Sequence, residues 1–278
     1  MSSPDRLGNV IHQAASRDES LLVVYLTLTD PLVPLELVKV IVDAGANIIE
    51  VGIPTRNSRP KGREVAASFQ RAGRADSGWD ALTALRDALP QTPLLTLVYP
   101  ETVADLGWRN LLSHAAGTDG LVLTNPAHPG EVLDATETGF SVVPLIAGHI
   151  DDRHAARLEA SATHLTYRTL LDRTGGVLNL GDTRRHIARV ASTATKPFLA
   201  GFGIQHPHEI RELAPYAAGL VVGSALLRLV RATPSNRKET EVHRQVRAWK
   251  AATALHPHTA ETHFSRHQRL GKWTQNPT

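Results

Sequence analysis

The strongest constraint on the fold is a recurrence. Eight short, β-rich and almost wholly apolar runs are separated by stretches with helical spacing. The runs are LLVVYLTL (21–28), NIIEVGI (47–53), PLLTLVY (93–99), GLVLT (120–124), SVVPLIA (141–147), THLTYRTLL (163–171), KPFLAGFGI (196–204) and GLVVGSAL (219–226). A strand that is apolar on both sides is covered on both sides, the condition of a parallel sheet flanked by helices. The intervening segments, such as PLELVKVIVDAGA and GWDALTALRDAL, space Leu, Val and Ala as an amphipathic helix does. Eight βα units in about 210 residues, with no long interruption, favour a closed (β/α)₈ TIM barrel over a doubly wound open sheet. The class is therefore α/β with a single barrel domain at 21–232, an N-terminal helix or arm at 1–20, and a C-terminal helix with a polar, mobile tail at 233–278.

Charge and composition narrow the partners. Lys and Arg number 30 against 27 Asp and Glu, a net charge of +3, so the pI near 9.4 reflects a slight basic excess rather than a basic face. Nucleic-acid or membrane attraction has no compositional support. The chain has no Cys, which excludes disulfides, thiolate zinc sites and a cysteine nucleophile. The opening MSSPDRLGNVIHQAASRDES lacks an apolar leader, and no apolar run approaches the roughly 20 residues of a membrane span, so a cytoplasmic location is expected. His256, His258, His263 and His267 fall in the tail. The i, i+4 pair His263 and His267 lacks the closer-spaced Cys and His ligands of a structural zinc site, and the tail reads as a solvated segment with no metal.

In a parallel barrel the chemistry sits where the strands end. Glu50 stands in the apolar run IIEVGIP, where an inward carboxylate is costly to desolvate and its pKa rises toward neutrality, as a general acid or base requires. An ion pair with a neighbouring Arg inside the barrel is the competing reading. Two Gly-rich turns follow the last two runs, AGFGIQ at 200–205 and VVGSALL at 222–227, where many barrels bind phosphate through backbone N–H groups. Gly203, Gly223 and Ser224 allow the close approach this needs. RTGG, with Arg173 and Gly175, supplies a third turn or an ordinary loop. The loop TRNSRPKGRE gathers Arg56, Arg59, Lys61 and Arg63 at the presumed mouth, as an anion-recruiting lid or a solvated face.

The motifs YLTLTDP, DAGANIIEVGIP, DGLVLTNP, RTGG, AGFGI and GLVVGSAL resemble, in order and spacing, the tryptophan synthase α subunit family, over about 22–230. The resemblance implies a (β/α)₈ lyase that splits indole-3-glycerol phosphate into indole and glyceraldehyde 3-phosphate, with no metal or organic cofactor. It places Glu50 on the catalytic glutamate, Gly203 in the GFGI phosphate turn, Gly223 with Ser224 on the terminal GSA turn, and Tyr25 and Tyr99 beside the indole pocket.

Departures from the family pattern cluster at the indole end. The family's PFSDPxADGP loop reads PTRNSRPKGR, so Lys61 takes the place of the second catalytic carboxylate, which meets the indole N–H. Asn125 replaces an aspartate, Thr169 replaces a tyrosine, and the RTGVTG loop is shortened to RTGGVL. A retargeted enzyme of specialised metabolism follows, acting on a small phosphorylated substrate with Glu50 as proton carrier and Lys61 or its neighbouring arginines holding a second anion. Ionisation or rearrangement of a prenyl diphosphate, and a non-catalytic barrel that binds a phosphometabolite or a protein partner, are the alternatives. The rewritten loop also argues against pairing with a tryptophan synthase β subunit.

Overall fold

A computed structural model describes residues 5–255, except 56, 59, 61, 74–76, 126–128, 149, 172 and 173. Four residues named above, Arg56, Arg59, Lys61 and Arg173, and the tail histidines lie outside the described residues.

The eight apolar runs all become strands: β1 (Leu21–Thr27), β2 (Ile48–Gly52), β3 (Leu94–Val98), β4 (Gly120–Leu123), β5 (Ser141–Ile146), β6 (Thr166–Thr169), β7 (Phe198–Gly201) and β8 (Gly219–Val222). Every pairing is parallel, the order follows the sequence, and β8 returns to β1 through Leu21↔Gly219 to Val24↔Val222, closing the barrel. All seven residues of β1 are buried, as the apolar runs require. The strands end one to three residues earlier than the runs, except the eighth, whose run continues into a helix.

Around the ring lie α1 (Arg6–Ser16), α2 (Leu35–Asp43), α3 (Arg63–Ala72), α4 (Ser77–Ala88), α5 (Pro100–Leu106), α6 (Trp108–His114), α7 (Pro129–Glu137), α8 (Asp152–Ala160), α9 (Leu180–Thr193), α10 (Pro207–Leu213), α11 (Ser224–Ala232) and α12 (Lys238–Ala251). None is long and apolar enough to cross a membrane.

The floor of the barrel is filled by large side chains set against glycines. A Cβ at Gly219 would lie 2.7 Å from Leu199 Cδ2 and 2.9 Å from Leu21 Cβ, and one at Gly120 would lie 2.9 Å from Leu95 Cδ2. This alternation fills the N-terminal half of the barrel and leaves open volume toward the C-terminal ends of the strands.

Two outer contacts set the loops that frame the mouth. The fully buried Asp30 carboxylate, just past β1, accepts hydrogen bonds from Arg71 Nε (3.0 Å) and Nη2 (2.6 Å) and from the Ser68 hydroxyl, fastening α3 over β1. Burial pushes the Asp30 carboxyl up, but the bonds from Arg71 and Ser68 outweigh it and hold it below the ordinary carboxylate range. On the far side, the buried Trp249 of α12 donates its indole N–H to the Gln205 carbonyl at 3.0 Å, tying the last helix to the turn after β7.

Candidate active site

The open volume is a cavity of about 400 Å³ at the C-terminal ends of the strands. Its lining draws on all eight strands or the turns that follow them: Tyr25 from β1, Glu50 from β2, Leu97 from β3 and Tyr99 after it, Thr124 and Asn125 after β4, Leu145 from β5, Tyr167 and Thr169 from β6, Phe202 and Gly203 after β7, and Val221, Gly223 and Ser224 from β8 and the turn beyond it. Tyr25, Glu50, Tyr99, Asn125, Gly175, Gly203, Gly223 and Ser224, all singled out in the sequence, are therefore in one place, whereas Arg63 is exposed at the start of α3 and does not line the cavity.

Glu50 lies deep in this cavity, 2% exposed. Burial alone pushes its carboxyl from 4.5 up to about 8, and no hydrogen bond or ion pair among the described residues offsets that shift. The internal Glu–Arg pair is thereby removed as a reading for the described part of the barrel. At neutral pH the group is a protonated acid.

Three phenols surround it. The β1–β2 register sets Tyr25 directly beside Glu50, and the closely packed rings owe their positions to missing side chains. A Cβ at Gly52 would fall 2.2 Å from the Tyr25 hydroxyl, and one at Gly201 would fall 2.2 Å from the Tyr167 hydroxyl. Burial, reinforced by the nearby Glu50 charge, raises the phenols of Tyr25, Tyr99 and Tyr167 above their ordinary range, so all three remain neutral hydroxyls. Edge-to-face contacts with Phe69 (6.0 Å between centroids) and Phe202 (5.9 Å) hold Tyr99 and Tyr167 in place. Tyr167 and Phe202 were visible in the sequence as strand residues; only the register and ring packing reveal them as cavity walls.

On the other side the three Gly-rich turns converge. A Cβ built on Gly175 would lie 3.7 Å from the Ser224 hydroxyl, which brings the loop after β6 against the start of α11. Phe202 (φ 74°) and Gly203 (φ 102°) adopt successive left-handed conformations, a bend that only the glycine makes without strain. Gly223 is glycine for a different reason. Its φ of −124° suits any residue, but a Cβ there would meet Tyr25 Cβ at 3.1 Å and Cδ1 at 3.2 Å. The turn therefore lies against the ring of Tyr25, and the backbone N–H groups that open α11 border the cavity. Gln205, not singled out in the sequence, is fixed here by Arg228, which donates to its side-chain oxygen at 2.6 Å. Among the described residues no Lys, Arg or His lines the cavity.

Comparison with known proteins agrees with this geometry. A family profile described as tryptophan synthase alpha chain matches residues 11–255. The tryptophan synthase alpha chain of Carboxydothermus hydrogenoformans is 28% identical over 260 residues, covering 89% of this chain and 97% of its own length. That of Halorhodospira halophila is 27% identical over 238 residues, covering 81% and 87%. Among solved structures, tryptophan synthase subunit alpha of Legionella pneumophila superposes with a TM-score of 0.78 at 20% identity, over 89% of this chain and 98% of that one, a likeness of fold. With its closed eight-stranded parallel barrel and a profile match spanning most of its length, the chain belongs to the tryptophan synthase alpha chain family.

Proposed function

We propose that the chain is a cofactor-independent lyase of specialised metabolism that cleaves a small phosphorylated substrate by acid–base chemistry. The observation that carries this reading is the protonated Glu50, without a hydrogen-bond or ion-pair partner among the described residues, inside a cavity bordered by the start of α11. A buried acid without a partner lowers stability, and a scaffold that only binds has no use for one.

The phosphate rests on the turns at Gly175, Gly203 and Gly223–Ser224. The carbon–carbon bond to be broken then lies over Glu50. Protonated Glu50 gives its proton to the carbon of the leaving ring, and the resulting carboxylate takes the proton of the carbinol hydroxyl. The bond breaks with its electron pair staying on the ring, the carbinol carbon becomes an aldehyde, and Glu50 ends protonated as it began. Neutral phenols of Tyr25, Tyr99 and Tyr167 surround the ring and donate hydrogen bonds without competing for the proton.

Lys61, Asn125 and Thr169, each in the place of a different family residue, support a ring other than that of the ordinary family substrate. The test is a thermal-shift screen over phosphorylated indoles and related aryl phosphates, followed by turnover of the hit. The phosphorylated compounds raise Tm and their dephosphorylated forms do not. Glu50→Gln keeps the affinity but lowers the rate by about 10²-fold or more, because an amide cannot carry the proton. Full turnover by Glu50→Gln removes the mechanism.

A further inference from the structure

Gln205, on the cavity wall past β7, commits both ends of its amide to neighbours that cannot exchange roles. Its Oε1 accepts from Arg228 Nη1 of α11 at 2.6 Å, and its Nε2 donates at 3.1 Å to the carbonyl of Gly176, in the loop after β6. A guanidinium only donates and a carbonyl only accepts, so the amide has a single orientation. Glutamate in its place would lose the donor, and asparagine is a methylene shorter. The Gln205 backbone is held separately: its N–H donates to Glu209 Oε2 at 2.6 Å and its carbonyl accepts from Trp249. Those two bonds do not depend on the side chain.

Arg228 is set from outside the cavity, whose lining it does not join. Its Nε lies 3.9 Å from Glu64 Oε1, in the first turn of α3. Arg231 grips the same buried carboxylate through Nε at 3.1 Å and Nη2 at 3.0 Å. Contacts therefore run from an ion cluster between α3 and α11, through one amide, to the loop whose Thr174 and Gly175 line the cavity. Leu171 and Leu178 of that loop also rest on the turn after β7, where a Cβ at Gly203 would lie 2.7 Å and 2.9 Å from them. Apolar contacts of this kind are non-directional and set no peptide orientation, whereas a hydrogen bond to a carbonyl does.

We infer that Gln205 is a positioning residue that fixes the peptide after Gly176 and so presets the loop after β6 for its ligand, with Arg228 acting only through it. This rests on the proposed phosphate cradle, and it adds how one of the turns is held ready before a ligand arrives. A preset turn has less freedom to lose on binding, so the contribution appears in affinity. The competing role is a stitch between α11 and the barrel. That role lowers Tm on substitution and leaves affinity where it was.

The experiment compares the unmodified chain with Gln205→Met, Arg228→Met and the double variant. Hydrogen exchange of the ligand-free proteins reads the loop, and calorimetry with inorganic phosphate and with glycerol 3-phosphate reads the site. Gln205→Met speeds amide exchange at 174–178 by about 3- to 10-fold, the range of one neutral hydrogen bond, and leaves β7 and α10 unchanged. Affinity for both probes falls by a similar factor. Arg228→Met shows the same two effects in the parent and none in the Gln205→Met background, since its action passes through the amide. A direct effect of the Arg228 charge on the anion would persist in that background and overturns the inference. Unchanged exchange in Gln205→Met, or unchanged affinity beside faster exchange, overturns it as well. An unmodified chain that binds neither probe removes the cradle and the inference together, whereas binding that Gln205→Met leaves intact keeps the cradle and removes Gln205.

Discussion

Tyr25 and Glu50 are register partners across the β1–β2 ladder, and both side chains line the cavity while being 5% and 2% exposed. Neither carries a charge at neutral pH, since burial raises both groups. The pair keeps the deepest part of the site polar but uncharged. Ionising Glu50 there brings a charge into contact with a ring that has no cation to offer.

That relationship sets a pH dependence of stability. The folded state holds the Glu50 proton up to about pH 8, whereas the unfolded chain releases it near 4.5. Between those values the folded state binds more protons, so stability falls as pH rises, and the loss is complete above about 8. Glu50→Gln has no proton to lose. Its thermal stability relative to the unmodified chain therefore rises between pH 5 and pH 8, by about 3 kcal/mol on the linkage relation. A difference that stays flat across this window contradicts the buried, unpaired state of Glu50.

Ser224→Asp tests the anion site without disturbing the fold. An acid at the first position of α11 complements the helix start, so Tm holds or rises by the equivalent of about 0.3–1 kcal/mol. The same charge repels a bound phosphate, and affinity for the phosphorylated hit falls at least about tenfold on simple Coulomb grounds. Calorimetry showing unchanged affinity sinks the phosphate assignment. This variant is more informative than a side chain at Gly223, which would press on Tyr25 as well as on the ligand.

Asp30 answers a different question, whether the mouth is built on a charged anchor. Asp30→Asn leaves Arg71 facing a neutral amide in a largely buried position and lowers unfolding stability by about 3 kcal/mol. Because the folded Asp30 pKa is depressed, its contribution is present above the ordinary carboxyl range near 3.8 and disappears as pH falls through the lower folded value. Chemical denaturation at pH 7 and at a pH well below 3.8 reads both effects; equal stability of the variant and the parent at pH 7 would show that the anchor carries nothing.

Lys61 motivates an expectation about the ordinary family reaction. With a cation where the second carboxylate belongs, the purified chain releases indole from indole-3-glycerol phosphate at least about 10²-fold more slowly than a tryptophan synthase α subunit assayed beside it. Comparable release ends the idea of retargeting. The rewritten loop also leads us to expect no stable complex with a β subunit, and co-elution of the two at micromolar concentration would reverse that.

Much of the fold was legible because parallel barrels write it plainly: both faces of each strand are covered, so the strands stand out as apolar runs. Glu50 was legible for the same reason, as the one acidic residue within such a run. Tyr167 and Phe202 were not, because an aromatic residue in an apolar segment looks the same whether it faces the core or a ligand. The turn at Gly223 was read from the right residue for an incomplete reason. Its backbone is unstrained, and the constraint comes from a ring two hundred residues away in sequence, which no local motif records.

The hydrogen bond from Trp249 to the Gln205 carbonyl gives the last described helix a window on the cavity. Gln205 borders the same space as Gly203, so whatever settles against that turn alters the electrostatic surroundings of a buried indole. The chain thus carries its own optical reporter of occupancy. Its emission is expected to shift as the site fills, with no label attached, and Trp249→Phe identifies which of the four tryptophans produces the signal.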